Sequence, residues 1–247
     1  MIVTIVTVVL NGADYIEECI ASVMTQNYKK IEHIIIDGGS CDGTLDIIEQ
    51  YKSRISYVTS EADEGMYDAL NKGIAIAKGD LIGFLNSDDR LADQNVISSI
   101  VKQFNSQYCD AIYGNLNYVS RNNTEKITRK WESRQYGLRC IQSGWMPPHP
   151  TFYIRKEVLD NSEPYSSAYG TCGDYDFMLR LLYKKKIKAV FVDLLIVYMR
   201  NGGISNGSFK KVFKSFFYDY RILARNKIPM PFLVVFFKKI RKLRQFR

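Results

Sequence analysis

Two short stretches hold residues whose types and spacing suit chemistry. In FLNSDDR, residues 84 to 90, an apolar run of strand type stops at two adjacent carboxylates, Asp88 and Asp89, with Asn86 and Ser87 ahead of them. Neighbouring carboxylates repel, so a cation has to neutralise them, and an all-oxygen set selects a hard ion such as Mg2+ or Mn2+. An ion held by few protein groups fills its shell with substrate phosphates. The competing reading is an ordinary turn, which Asn, Ser and Asp also build. In DGGSCDGT, residues 37 to 44, three glycines accompany two carboxylates, Asp37 and Asp42. GxGxxG is absent and no GK[ST] follows, so neither a dinucleotide fingerprint nor a P-loop is present. Asp37, at a strand tip among small residues, suits a contact to a base or ribose, whereas Asp42 reads as a helix cap.

The elements that must position these residues alternate. IVTIVTVVL reads as a strand and ADYIEECIASVMTQ as a helix, with Ile16, Ile20, Val23 and Met24 at helical spacing. HIIID, a helix near LDIIEQYKS, ISYVTS, a helix over MYDALNKGIAIA, and LIGFLN continue the pattern. Single helices between strands imply parallel pairing through right-handed crossovers, which predicts an α/β fold with a doubly wound sheet. Ligands in such sheets sit beyond the carboxyl ends of the strands. Those ends carry Asn11, then Asp37 and Gly38, then Ser60 and Glu61, then Asn86 to Asp89. Any strand can end in a polar loop; four neighbouring ends together point to a ligand site.

Beyond residue 105, DAIYGNLNYVS and KITRKW read as strands and the stretch up to PPHPTFYIRK as loop-rich. GDYDFMLRLLYKKK reads as a helix and KAVFVDLLIVYMR as a strand. The expected organisation is one domain over 1–208, with a nucleotide-binding half (1–105) and an acceptor-facing half (106–208) joined without a linker, and an extension over 209–247.

With 247 residues, 46% of them hydrophobic, the chain can bury a full core. MIVTIVTVVLNG lacks a basic leader and a cleavage site, so it reads as a first strand and not a signal peptide. Five scattered cysteines without a CxxC pair suggest idle thiols in a reducing cytosol, not disulfides or zinc. With only His33 and His149, a histidine-built metal site is not expected. The net charge of +8 is unevenly spread: residues 209–247 hold twelve Lys and Arg against one acid, Asp219, which leaves the body slightly acidic.

Within the extension, Phe209, Val212, Phe213, Phe216, Phe217 and Tyr220 trace one helical face, as in a helix packed on the body, with Lys210, Lys211 and Lys214 elsewhere on the wheel. The following IPMPFLVVFFKKIRKLRQFR is too short in its apolar run for the ~20 residues that span a bilayer, and it contains two prolines. It reads as an interfacial segment for an anionic membrane surface, its apolar side chains followed by Lys238, Lys239, Arg241, Lys242, Arg244 and Arg247. A nucleic-acid partner is not expected, because no nucleic-acid-binding fold accompanies the charge.

Taken in order, VVLNGADYIEECIASVMTQNY, IIIDGGSCDGT, EGMYDALNKGIAIAKGDLIGFLNSDD, HPTFYIRKE and GDYDFMLRL resemble the family 2 glycosyltransferases of the GT-A fold, of the bacterial surface-polysaccharide type. The resemblance covers residues 1 to about 205. It implies a Rossmann-like, mostly parallel sheet with flanking helices and a nucleotide pocket lined by Val8, Asn11, Asp37 and Ser40, with Asp37 reading the base edge. Asn71 and Lys72 would lie near the donor. NSDD corresponds to the family's DxD region, with Asn86 at the first position, Ser87 within the motif, Asp88 as ligand of Mn2+ or Mg2+, and Asp89 holding donor sugar or ribose. GDYDF matches the segment of the catalytic base, commonly an acid pair; Gly173 replaces the first acid, leaving Asp174 as the base and Asp176 as second candidate. Asp174 read alone is equally a helix-entry charge. His149 is either structural or a contact to donor phosphate or acceptor, and Trp145 is either core or a stacking platform for a sugar ring.

The implied activity is inverting transfer of a hexosyl or related sugar from a nucleotide-sugar, UDP by family frequency, to a glycan acceptor on polyprenyl diphosphate. The implied place is the cytoplasm, peripherally on the inner face of the cell membrane, in synthesis of O-antigen, capsule or exopolysaccharide. Two rival classes remain. A sugar nucleotidyltransferase would want a Gly-rich loop with a basic residue directly after the first strand, where this chain has NGADY. A non-catalytic nucleotide-sugar-binding subunit is motivated by Asn86 and Gly173. Direct transfer to polyprenyl phosphate is a variant within the enzyme class.

Overall fold

The computed structural model describes residues 1–202 and 209–244, and the side chains of 209–212 and 242–244 fall outside that description. The chain begins β1 (Val3–Val9), α1 (Ile16–Met24), β2 (Ile31–Asp37), α2 (Thr44–Gln50), β3 (Tyr57–Ser60), α3 (Met66–Ile76) and β4 (Leu81–Phe84). All of β1 and β4 is buried, because helices cover both faces of the sheet and leave no side to alternate toward water. The four strands pair in parallel in the order β3-β2-β1-β4, the α/β arrangement that the alternation predicts. Val9 lies opposite Asp37, and Asp37 opposite Ser60, so three strand ends form one rim. Val6 pairs with Phe84, which sets the NSDD turn on the same rim beside Asn11.

The chain continues through β5 (Arg90–Leu91), α4 (Val96–Ser106), β6 (Ala111–Ser120), β7 (Asn123–Trp131), α5 (Leu138–Gln142), β8 (Tyr153–Arg155), α6 (Lys156–Asp160), α7 (Gly173–Leu179) and β9 (Ala189–Arg200). A π-helical turn, Arg180–Lys184, prolongs α7. The order β4-β8-β6-β9-β5 carries the same sheet across residue 105, and β7 pairs with β6. The core likewise ignores that position: Val6 and Ile34 share a cluster with Tyr113 and Phe177. β8 corrects the expectation of a loop-rich stretch there. It is a central strand, antiparallel to β4 and β6, but three residues behind the three prolines of PPHPTF are too few to show a period. Its Tyr153 ring lies so close to β4 that a Cβ on Gly83 would come within 2.4 Å of it.

The extension forms α8 (Phe209–Arg225) and α9 (Pro231–Arg244). Pro231 does not interrupt α9, since the first position of a helix lacks an intrahelical donor partner anyway. On one side α9 packs against the body. Val234 and Val235 are buried with Ile222 and Leu223 of α8 and with Tyr175 and Leu179 of α7. α9 also rests on the turn after α5, where a Cβ on Gly144 would come 2.4 Å from the Lys238 backbone nitrogen. Buried Asp219 pairs with Lys238 at 2.6 Å and Lys239 at 3.4 Å. The Lys238 ammonium lies 3.4 Å from the centre of the Tyr175 ring. Phe213, Phe217, Tyr220, Met230, Phe232, Leu233, Phe236 and Phe237 face outward. The side chains of Phe209, Lys210, Lys211, Val212, Lys242, Arg244 and Arg247 lie outside the described residues. Among those described, no helix is long and apolar enough to cross a membrane.

Removing one partner of a buried ion pair strands the other charge. Asp219→Ala is expected to lower stability by roughly 3 kcal/mol in urea unfolding, and a loss below about 1 kcal/mol would show that this pair does not hold α9 on the body.

Candidate active site

The loops after β1 and β2 are tied together by polar groups. Asn11, with a left-handed φ of 50°, receives the Cys41 backbone N–H on its Oδ1 at 2.9 Å and donates its own N–H to Ser40 Oγ at 2.8 Å. Asp42 Oδ1 accepts the Thr44 N–H at 3.1 Å just ahead of α2, whose N-cap is Gly43, and Oδ2 accepts the Ala13 N–H at 3.1 Å. Asp37 is fully buried. Its Oδ2 accepts from Gly39 N, Ser40 N and Ser60 Oγ at 3.0, 2.9 and 2.6 Å, and its Oδ1 from Ser40 Oγ at 2.5 Å. Four donors make it the organiser of the rim, with Val8 on the strand beneath, 8% exposed. On α3, Lys72 stands between Glu61 and Asp68 at 2.8 and 3.1 Å. Asn71 clamps Tyr165 by its backbone N–H and C=O at 2.8 and 2.9 Å.

In the NSDD turn the two carboxylates part company. Asp89 is buried, its Oδ2 accepting from Asn86 Nδ2 at 2.9 Å and its Oδ1 from the Arg200 backbone N–H at 3.1 Å. A neutral Asn86 is therefore what this turn requires, since an aspartate there would set a second charge against a buried one. Burial, then the charge of Asp88, pushes the Asp89 carboxyl up to about 8. Asp88 is only partly buried. Burial pushes its carboxyl up as well, eased by its own backbone N–H and then by the guanidinium groups of Arg121 and Arg200. Among the described residues no three carboxylate, histidine or cysteine groups converge as a metal cage. The turn fits a cation that takes one protein carboxylate, Asp88, and completes its shell with phosphate and water, as Mg2+ and Mn2+ sites do. Such an ion would also relieve the desolvation of Asp88.

Asp174 begins α7 and is partly exposed. Its Oδ1 accepts the Tyr175 N–H at 2.7 Å and lies 3.5 Å from the Tyr67 hydroxyl. Asp176 turns the opposite way: it is buried, paired with Arg180 at 2.8 Å and contacted by Asn226 at 3.2 Å, which keeps it from an acceptor. One side chain feels both acidic positions. The hydroxyl of Tyr118, on β6, is pushed up by burial, held down by Arg129, and pushed up further by Asp89 and Asp174.

The sequence profile described as Glycosyl transferase family 2 matches residues 4–190 of this chain. The chain belongs to glycosyltransferase family 2. An uncharacterized glycosyltransferase of Mycobacterium tuberculosis is 30% identical over 181 residues, which cover 72% of this chain and 68% of the relative. The S. aureus TarS fragment 1–349 in complex with UDP superposes with a TM-score of 0.68 at 17% identity, over 93% of this chain and 66% of that one. The mannosyltransferase PcManGT from Pyrobaculum calidifontis, in complex with GDP-Man and Mn2+, superposes with a TM-score of 0.66 at 15% identity, over 96% and 68%. These likenesses give the sheet and flanking helices as the GT-A fold.

Within that glycosyltransferase fold, three expected contacts lie against other parts of the chain. Trp145 is 4% exposed, near Tyr113 and under the Arg134 guanidinium, so it serves as core and not as an open sugar platform. His149 stacks on Phe84 with ring centres 5.2 Å apart and shares a 2.6 Å hydrogen bond with the Tyr165 hydroxyl. Burial, against the charge of Asp174, holds its imidazole below its ordinary value. Ser87 borders Gly12, where a Cβ would lie 3.4 Å from its Oγ. Tyr67, Tyr118, Tyr165, Arg121 and Arg200 are the neighbours that sequence reasoning missed. Arg200 donates to the Asp88 carbonyl at 2.9 Å, pairs with Glu18, and lies with Arg121 over the Tyr15 ring. The only local signal for it was its place at the end of a long strand.

Because its folded value exceeds the ordinary 3.8, the Asp89 carboxyl supports folding fully at low pH, and that support is lost as pH rises toward about 8. Asp89→Asn should therefore gain in Tm relative to wild type as pH rises from about 5 to about 9. A Tm difference independent of pH would mean that Asp89 titrates as an ordinary carboxylate.

Proposed function

We propose that the protein is an inverting, metal-dependent glycosyltransferase that moves a sugar from a nucleotide-sugar to a lipid-linked glycan acceptor in bacterial surface-polysaccharide synthesis. The observation that carries the proposal is the rim of strand ends, which brings Asn11, Asp37 and Ser40 together beside the NSDD turn in a chain of glycosyltransferase family 2. Asn11, Asp37 and Ser40 would receive the nucleotide, with Val8 beneath it and Lys72 at its edge. Asp37 is fully buried, so it would act on the base through the Gly39 and Ser40 groups that it holds in place. The UDP bound to TarS supports UDP as the nucleotide, and the Mn2+ with PcManGT supports a divalent ion. Asp88 would hold that ion, which neutralises charge on the leaving diphosphate. Asn86 and Asp89 keep the turn in shape from inside.

The Asp174 carboxylate takes the proton of the acceptor hydroxyl while that oxygen bonds to C1 of the sugar. The bond from C1 to the phosphate oxygen breaks, and the nucleoside diphosphate leaves with the electron pair. Attack from the face opposite the leaving group inverts C1, which suits a cation position in the turn after β4 and a base position at the start of α7. Gly173 and Asn86 do not favour a non-catalytic subunit, because each has a packing or charge reason of its own.

The acceptor's lipid would bring the protein to the cytoplasmic face of a membrane. The support is the outward face of α8 and α9, where Phe216 and Phe232 meet at 5.8 Å among the exposed aromatic and aliphatic residues. Exposed Lys214, Arg221, Arg225 and Lys227 border that face, and each cation near an anionic leaflet contributes about 1 kcal/mol. Lys238 and Lys239 are turned toward Asp219 instead.

Thermal stabilisation by UDP, GDP and dTDP, each with and without Mn2+, tests the site. One nucleotide should stabilise only with metal, and Asp88→Ala should abolish the effect; no response to any nucleotide would refute the donor reading. Asp174→Asn should keep that stabilisation and lose turnover by about 100-fold or more, and unchanged turnover rules out its role as base. Deleting α9 would open the core, so the membrane reading is tested with Phe217→Ser combined with Phe236→Ser. The wild type should sediment with phosphatidylglycerol vesicles and the double variant should not; equal sedimentation of both would sink the idea.

A further inference from the structure

Gly173 stands where a second acid would precede Asp174, and the space for its side chain is taken. A Cβ there would lie 2.6 and 2.8 Å from Cε2 and Cζ of Tyr67, and 2.8 Å from the Ser166 carbonyl oxygen. The Tyr67 ring cannot easily swing aside. It is 5% exposed and stacks on Tyr165 with centres 5.7 Å apart and planes 14° from parallel. Asn71, one turn further along the same helix, grips the backbone of that Tyr165 on both sides. Tyr165 in turn stacks on Phe177 of α7, with centres 3.9 Å apart. Helix α3 and helix α7 are thus locked together through aromatic rings.

The hydroxyl of Tyr67 is aimed at Asp174. It accepts the Asp174 backbone N–H at 3.1 Å and lies 3.5 Å from Oδ1. Burial, and then the charge of Asp174, raises it well above its ordinary value, so it keeps its proton at any working pH. Oδ1 already accepts the Tyr175 N–H, while Oδ2 has no hydrogen bond among the described residues.

We infer that Tyr67 is a positioning residue for the catalytic base: its ring occupies the volume of a side chain at 173, and its hydroxyl orients Asp174 so that Oδ2 faces the acceptor. The inference rests on the reading of Asp174 as base and extends it. The group that sets the carboxylate's direction is a neutral tyrosine from α3, which adds no second negative charge beside Asp174.

Tyr67→Phe keeps the ring and removes the hydroxyl. Carboxyl 13C NMR at one fixed pH, with Asp174→Asn for assignment, should show the Asp174 resonance displaced in Tyr67→Phe. Release of UDP from UDP-N-acetylglucosamine with water as acceptor should fall about 10-fold in kcat, with KM within about 2-fold. Loss of turnover in Asp174→Asn, with Tyr67→Phe unchanged in both resonance and kcat, would overturn this inference alone. Unchanged turnover in Asp174→Asn would overturn the base reading and this inference with it. Should Tyr67→Phe fail to fold, Gly173→Ala is the second variant: displacing the ring should lower kcat while donor KM holds, and an unaltered kcat refutes the inference.

Discussion

The site depends on one buried carboxylate. Asp89 closes the NSDD turn by accepting from the Asn86 amide, and by accepting the Arg200 N–H it fastens that turn to the end of β9. The two-residue strand β5 continues the fastening, with Arg90 opposite Tyr198 and Leu91 opposite Val197. Arg200 then reaches Glu18 on α1, so the first helix, the NSDD turn and the last strand meet at one point. A carboxyl buried this way is costly unless it is hydrogen-bonded. Its return is orientation: with Asp89 turned in, Asp88 is left toward the cleft.

The second constraint is aromatic. Phe84 stacks on His149, His149 shares a hydrogen bond with Tyr165, Tyr165 stacks on Tyr67 and Phe177, and Tyr67 touches Asp174. This column runs from the strand that carries NSDD to the helix that carries Asp174. Packed rings in low-energy contacts deform little, so the separation of the two acidic positions is set by a nearly rigid stack.

The C-terminal hairpin joins this arrangement from outside. Lys238 neutralises Asp219 and lies against Tyr175, the residue after Asp174, while Gly144 lets α9 approach the turn next to Trp145. The outward aromatic face and the inward salt bridge belong to the same two helices. A surface that engages α8 and α9 is thereby one residue away from Asp174.

Much of the α/β order was legible in the sequence because each early strand is an uninterrupted apolar run and each helix repeats at helical spacing. Asp37, Asn11, Ser40 and the NSDD turn were legible as a group because parallel strands deliver their ends to one rim. β8 was not, since a strand of three residues carries no period. By itself the sequence determined the fold class and which loops form the rim, because burial pattern is local and the crossover rule converts it into topology. Tertiary structure decided which way each polar side chain turns. Asp88 and Asp89, or Asp174 and Asp176, are alike in the chain, and only their partners Arg200, Asn86, Arg180 and Tyr67, brought from distant or opposite elements, separate an open carboxylate from a buried one.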